Sequence, residues 1–288
     1  WEKVMSKGLL DPKVDFVFKN IFGSPNHPEI LISFLNATLK AKKKIVNVDI
    51  KKTDIEKQYI EDKYSRLDVK ATTSNDEIIN IEIQLKNENN MVKRSLYYLS
   101  KMYEEQLNEK EDYSKLVRTV CINILNFKYL KTDNFHTGYR FKEIESNEEL
   151  TDIMEVHFIE IPKLQDSSDE KDMLVAWTEF LKDPESEKVR GLELSIEEIR
   201  QAKDELIRMS NDSTQRELYD MRANSLRDKM SELNAAERKG IEKGREEGRE
   251  EGRKEEKIKI ARNMKLSGLD TNTIAKVTNL SEDEIDKL

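Results

Sequence analysis

The sequence predicts a mixed α/β domain followed by an all-helical C-terminal extension. Three observations lead there. Short β-rich or alternating segments at Ile45–Lys52, Arg66–Thr73, Ile78–Lys86, Val117–Asn126 and Glu155–Ile161 read as strands. Apolar groups at helical spacing over Asp15–Phe22, Glu29–Leu39 and Met91–Leu107 interleave with them. From about Asp172 onward every segment has helical character.

The elements follow in chain order. Phe16, Val17, Phe18, Ile21 and Phe22 make one helical stripe; Ile30, Leu31, Phe34, Leu35 and Leu39 make a second. Gly23–Pro28, with its two prolines, separates them. The strand pair 66–73 and 78–86 turns at Ser74-Asn75-Asp76, residues suited to a hairpin. The helix 91–107 then packs Leu96, Tyr97 and Leu99, and Pro162 ends the last strand. Between Ala235 and Lys259 a charged run places Gly240, Gly244, Gly248 and Gly252 four residues apart, on one slowly drifting helix face. Each glycine costs about 1 kcal/mol relative to alanine in a helix. This run is either a solvated helical linker or a ridge for close helix–helix approach. Beyond it, Ile260–Leu288 offers two short helices around Ser267–Gly268, with Ser281 as N-cap for Glu282–Leu288. The expected divisions are a core over 5–165, a helical segment over 166–234, the charged linker 235–259 and a helical tail over 260–288.

Composition narrows the function. No apolar run in the 288 residues approaches the roughly 18 that a membrane span requires, and the chain reads as a cytoplasmic protein. Its single cysteine, Cys121, excludes an internal disulfide and reads as a small core residue. His27, His136 and His157 show no metal-ligand spacing. The net charge of −8 argues against coating nucleic acid by bulk charge. A local basic face is still available, where Lys42, Lys43 and Lys44 cluster beside Lys40 and ahead of Lys51 and Lys52.

The chemistry concentrates on the predicted hairpin. Along 78–86, Ile79, Ile81, Ile83 and Leu85 share one face, and Asn80, Glu82, Gln84 and Lys86 share the other. On the preceding strand Leu67, Val69 and Ala71 oppose Arg66, Asp68 and Lys70. Both apolar faces must reach one core, and a slip of one residue would put one of them in water. A three-residue loop that pairs Thr73 with Glu77 satisfies this requirement. It pairs Ala71 with Ile79, Val69 with Ile81, and Asp68 with Glu82. Cross-strand Cβ atoms lie about 4.5–5.5 Å apart, so the two carboxylates repel unless Lys or Arg, or a shared hard cation such as Mg²⁺, intervenes.

Asp68 and Ile81-Glu82-Ile83-Gln84 together resemble the D…ExQ version of the PD-(D/E)XK nuclease motif. The opening Asp11-Pro12-Lys13-Val14-Asp15-Phe16, the later Leu35-Asn36-Ala37, the Gly-Arg-Glu-Glu run and the closing Ile274–Ser281 are similar to one family in that superfamily, the recombination-promoting nucleases also described as transposases. The resemblance is weakest over 131–196. It implies a restriction-endonuclease-like mixed sheet flanked by helices, and Mg²⁺-dependent endonucleolytic cleavage of DNA, with Mn²⁺ or Ca²⁺ as alternative ions. By the same resemblance Asp68 and Glu82 hold the metal, and Asp15 completes the site from the first helix. Gln84 takes the place of the motif lysine, where it can hydrogen-bond the attacking water but carries no charge. Lys86 is a candidate for the missing charge; Arg94 and Tyr98, four residues apart, are candidates for nucleic-acid binding together with Lys42, Lys43 and Lys44, Arg94 by contacting phosphate. The competing expectation is a catalytically weak DNA-binding accessory protein that keeps the nuclease fold and oligomerises through its C-terminal helices. Within the tail, 266–285 resembles half of a helix-turn-helix, too short for a complete three-helix reader.

Overall fold

The computed structural model describes residues 8–40, 43–51, 69–169 and 171–288. The first helix, α1 (Asp15–Phe22), buries Val17, Phe18, Ile21 and Phe22, and α2 (Pro28–Leu39) buries Ile30, Leu31, Phe34 and Leu35, as their apolar spacing dictates. Pro28 takes the first turn of α2, where its missing N–H costs nothing. Gly23 closes α1 by donating its N–H to Lys19 O, at a point where an added Cβ would lie 2.6 Å from that oxygen.

Six strands follow in one sheet: β1 (Val48–Lys51), β2 (Val69–Thr73), β3 (Ile78–Gln84), β4 (Thr119–Leu125), β5 (His136–Lys142) and β6 (Glu149–Glu160). Their spatial order is β1-β2-β3-β4-β6-β5. The first three run antiparallel, β3, β4 and β6 are mutually parallel, and β5 returns antiparallel on the edge. The connection between parallel neighbours β3 and β4 carries α3 (Met91–Glu104), which packs on β4 and β6. This is the mixed sheet with flanking helices that the motif resemblance implies.

The hairpin register is the one that burial demands. Val69 pairs with Ile81 and Ala71 with Ile79. Thr73 N donates to Glu77 O at 2.9 Å across a three-residue loop, and the loop closes with Asp76 in the left-handed region at φ 61°. The larger departures from expectation concern β3, β6 and β5. β3 stops at Gln84, so Leu85 and Lys86 lie on the following bend. β6 is longer than predicted, and β5 was not predicted at all, because its alternation is interrupted by Gly138 and its exposed face keeps Tyr139 and Phe141 half in solvent. In α3 the inward stripe is Met91, Ser95, Tyr98, Leu99 and Met102, whereas Leu96 and Tyr97 face solvent.

Helices α4 (Met173–Lys182), α5 (Glu187–Glu193) and α6 (Glu197–Asn211) complete the first compact unit, Trp1–Asn224, with α4 and α6 packing on α2 and α6 also on α1. Trp177 on α4 is fully buried, edge-on to Phe22 and Phe180, and donates its Nε1–H to Ser33 Oγ at 3.1 Å. Helix α7 spans Ser213–Leu266, so the residues between Ile260 and Leu266 are its last turns and not a separate helix. The second unit, Ser225–Leu288, has its own small core, in which Ala261, Ile274, Leu280 and Ile285 meet from α7, α8 (Thr271–Thr278), the α8–α9 connection and α9 (Glu282–Asp286). Ser281 caps α9 in a reciprocal capping box with Glu284, as expected of an N-cap. Among the described residues no helix is long and apolar enough to cross a membrane.

Candidate functional site

Strand β3 is central, paired on both edges, and five of its seven residues are buried. Asn80 and Glu82 therefore cannot turn to water; they point into the layer under α3, with Gln84 half-buried at its edge. The parallel register with β4 sets Asn80 beside Cys121 and Glu82 beside Asn123. Ser95 of α3 closes over this face by donating to Asn123 Oδ1 at 2.8 Å, and Asn123 Nδ2 donates to His157 O at 3.1 Å.

Glu82 is the centre of the cluster. It is 1 % exposed, and within the described residues neither carboxylate oxygen has a well-formed hydrogen bond. Arg94 of α3 is the facing cation, its Nε 3.2 Å from Glu82 Oε2. Burial pushes the Glu82 carboxyl up to about 7, against the opposing pull of Arg94 and the nearby Asn80 amide. The same guanidinium donates from Nη1 to Gln84 Oε1 at 3.3 Å and lies with Cζ 5.5 Å from the Tyr98 ring centroid. One arginine thus ties together the ExQ carboxylate, the ExQ amide and an aromatic ring. Cys121, fully buried beside them, has its thiol held well above the usual range by burial; it is a core residue and not a nucleophile.

The predicted site residues fall into three groups. Glu82, Gln84, Arg94 and Tyr98 come together. Asp68 and Lys42 lie outside the described residues. Lys86 sits two residues beyond the end of β3, on the bend, and not on the strand's polar face. Asp15 stands half-exposed in the first turn of α1, where it accepts from Arg222 Nη1 at 3.1 Å. Lys43 and Lys44 are exposed on the α2–β1 connection, and Asn75 of the β2–β3 turn donates to Lys43 O at 3.4 Å. That turn is the end of the hairpin remote from Glu82. Among the described residues no three His, Cys, Asp or Glu side chains gather as a metal-sized cluster.

Sequence reasoning gave no role to the buried amides Asn80 and Asn123 or to Ser95. Their signal was the presence of asparagine in strand interiors, a residue poorly suited to strands. A second polar cluster was also missed. On the opposite face of the sheet His136 and His157 stack, Nε2 to Nδ1 at 2.9 Å, and His157 Nε2 pairs with Glu155 Oε1 at 2.7 Å. Arg118 bridges Glu155 and Glu77. Burial tends to raise Glu155, but its bonds to His157 and Arg118 hold it down at about 2; burial followed by the neighbouring His157 lowers His136 to about 4. The two histidines are 21 residues apart, and only the β5–β6 pairing joins them.

Comparison with known families gives two matches. The model of PD-(D/E)XK nuclease family transposases matches residues 12–236. That of the C-terminal HTH domain of the Rpn/YhgA-like nuclease family matches residues 254–288. The second corrects the reading of the tail as half a helix-turn-helix, because the last turns of α7 supply the helix that α8 and α9 lack by themselves. No curated protein and no solved structure matches. The first model covers well over half of the chain, including β3 with its ExQ motif and α3 with Arg94, and the chain belongs to the PD-(D/E)XK nuclease family transposases.

Proposed function

We propose that this chain is a divalent-cation-dependent DNA endonuclease that hydrolyses phosphodiester bonds and acts in recombination or on mobile elements. One observation carries the reading: a fully buried carboxylate, Glu82, with neither oxygen in a well-formed hydrogen bond, in an ExQ motif on the central strand. Burying a carboxylate is expensive, and its ion pair with Arg94 Nε at 3.2 Å leaves both oxygens without a well-formed hydrogen bond. The donor set suits a hard cation, since carboxylate and amide oxygens are its preferred ligands. Asp68, the residue before Val69 in the chain, would join Glu82 in holding Mg²⁺, or Mn²⁺ or Ca²⁺ in its place. Asp15 would contribute if it exchanged Arg222 for the cation.

A bound cation of this kind acidifies water and draws charge from phosphate oxygens. The protein's own groups do the rest. Gln84 orients the attacking water by hydrogen bonding. Arg94, anchored by Glu82, Gln84 and Tyr98, binds phosphate, which supplies the charge that Gln84 lacks. Lys86 is the second candidate for that charge; a Lys86→Ala protein that cleaves at the wild-type rate removes it.

In this division of labour the core 5–165 cleaves, the helices of 166–234 buttress it, and the tail 260–288 contacts DNA beyond the charged run 235–259. Lys42, Lys43 and Lys44 extend the DNA contact. The substrate implies a cytoplasmic site of action. Plasmid nicking in Mg²⁺ by the wild type and by Asp68→Ala and Glu82→Ala tests the reading. Equal nicking by all three refutes it. The second reading, a DNA-binding accessory protein with weak or no cleavage, rests on the uncharged Gln84 and on the Arg94–Glu82 pair, which competes with a cation. DNA binding without nicking by the wild type selects it. Homo-oligomerisation through the glycine-spaced part of α7 belongs to either reading. Loss of residues after Ala235 with no change of mass in solution removes it.

A further inference from the structure

Two asparagines lie on the face of the sheet that carries Glu82, and the structure treats them differently. Asn123 on β4 is fully engaged: its Oδ1 accepts from Ser95 and its Nδ2 donates to the His157 carbonyl, so it ties α3 and β6 to the sheet. Asn80 on β3 is equally inaccessible, at 0 % exposure, yet neither its Nδ2 nor its Oδ1 has a hydrogen-bond partner among the described residues. Asparagine is a poor strand former, and a buried carboxamide without partners is less favourable than an apolar side chain of the same size. Packing and sheet formation therefore give no reason for an amide at this position.

Its neighbours do give one. Asn80 precedes Glu82 by two residues on the same strand face, the spacing at which side chains stand side by side. Both side chains are buried on that face, and neither forms a well-formed hydrogen bond among the described residues. Across the strand pair it faces Lys70 on one side and Cys121 on the other, and neither is an ordinary acceptor for its N–H. Carboxylates that ligate metal ions are themselves held by hydrogen bonds, and loss of such a partner costs about 10- to 100-fold in metal affinity or activity.

We propose that Asn80 is a positioning residue of this centre: its carboxamide N–H orients the Glu82 carboxylate for a divalent cation and has no part in holding the sheet together. The inference rests on the reading of Glu82 as a metal ligand, and the test separates the two. Mn²⁺ binding is measured on the full chain without DNA, by electron paramagnetic resonance of the free ion, for wild type, Asn80→Leu, Asn80→Ala and Glu82→Ala. Thermal unfolding in EDTA is followed in parallel. The expected result is an Asn80→Leu protein that unfolds in EDTA at or above the wild-type temperature and binds Mn²⁺ about 10-fold or more weakly, with Asn80→Ala equally weak in Mn²⁺ binding. Unchanged Mn²⁺ affinity in either folded variant overturns the proposal. So does a collapse of the metal-free unfolding temperature in both, which would make Asn80 a structural residue. If wild type and Glu82→Ala bind Mn²⁺ alike, the Glu82 reading itself fails, whatever the Asn80 variants do.

Discussion

Glu82→Gln converts the buried carboxylate into a neutral side chain of nearly the same shape. The Glu82 carboxyl is raised from 4.5 to about 7, chiefly by burial, and this net figure already contains the attraction of Arg94. A carboxyl raised on folding stabilises the protein through its bound proton. That contribution is complete below about pH 4.5 and is lost as pH rises through about 7. At pH 8 the metal-free wild type therefore carries a penalty of about 3 kcal/mol that Glu82→Gln does not. For a unit of this size, 1 kcal/mol moves the unfolding midpoint by roughly 2–4 °C. Thermal unfolding in EDTA should thus place Glu82→Gln roughly 6–12 °C above wild type at pH 8, roughly 2–3 °C above it at pH 5, and level with it near pH 4. Addition of Mn²⁺ should reverse the order at pH 8, because only the wild type gains the binding free energy of the ion. A substitution that stabilises the apo protein and abolishes its function would mark Glu82 as a residue kept at a cost to stability. The reasoning is refuted if Glu82→Gln is no more stable than wild type at pH 8, or if the difference is the same at pH 5.

Further outcomes follow from the same structure. Arg94→Met removes the cation that competes for Glu82, so it should tighten Mn²⁺ binding while slowing cleavage by 10-fold or more; calorimetry and a nicking time course on one preparation check both. His136 is lowered to about 4, first by burial and then by His157, so its contribution to stability should be lost as pH falls from about 6.5 to about 4. His136→Gln should flatten that acid limb, by about 2–3 kcal/mol in urea titrations at pH 4.5 against pH 7. Trp177→Ala leaves a cavity between Phe22 and Phe180 and strands the Ser33 hydroxyl, so it should cost about 3–5 kcal/mol in chemical denaturation. Removal of 254–288 should weaken DNA binding and reduce the slope of its salt dependence, measured by fluorescence anisotropy at several salt concentrations, while leaving Mn²⁺ affinity unchanged.

Much of the architecture was legible because it rests on local pattern. The apolar alternation of 78–84 and the helical stripes of α1, α2 and α3 are consequences of burying one face at a fixed period. The Thr73–Glu77 hairpin register followed from the demand that Val69, Ala71, Ile79 and Ile81 share one core. The same logic puts Glu82 and Gln84 on one face of β3. β5 escaped because an edge strand with half-exposed aromatic residues and an internal glycine has no strict alternation to read. The continuation of α7 to Leu266 escaped because four glycines at four-residue spacing read as a weak point, whereas the paired charges around them favour a helix.

The sequence by itself determined most of the elements, the hairpin register and the ExQ motif, since each depends on residues close together in the chain. Only the tertiary structure decided what surrounds Glu82. The parallel β3–β4 pairing brings Cys121 and Asn123 alongside, and the crossover helix lowers Arg94 onto the carboxylate from 12 residues away. The sequence also left open that the polar face of β3 is dry. An acid on a half-covered sheet is an ordinary surface residue, whereas the same acid under α3 loses its water, and that loss raises its pKa against the pull of Arg94.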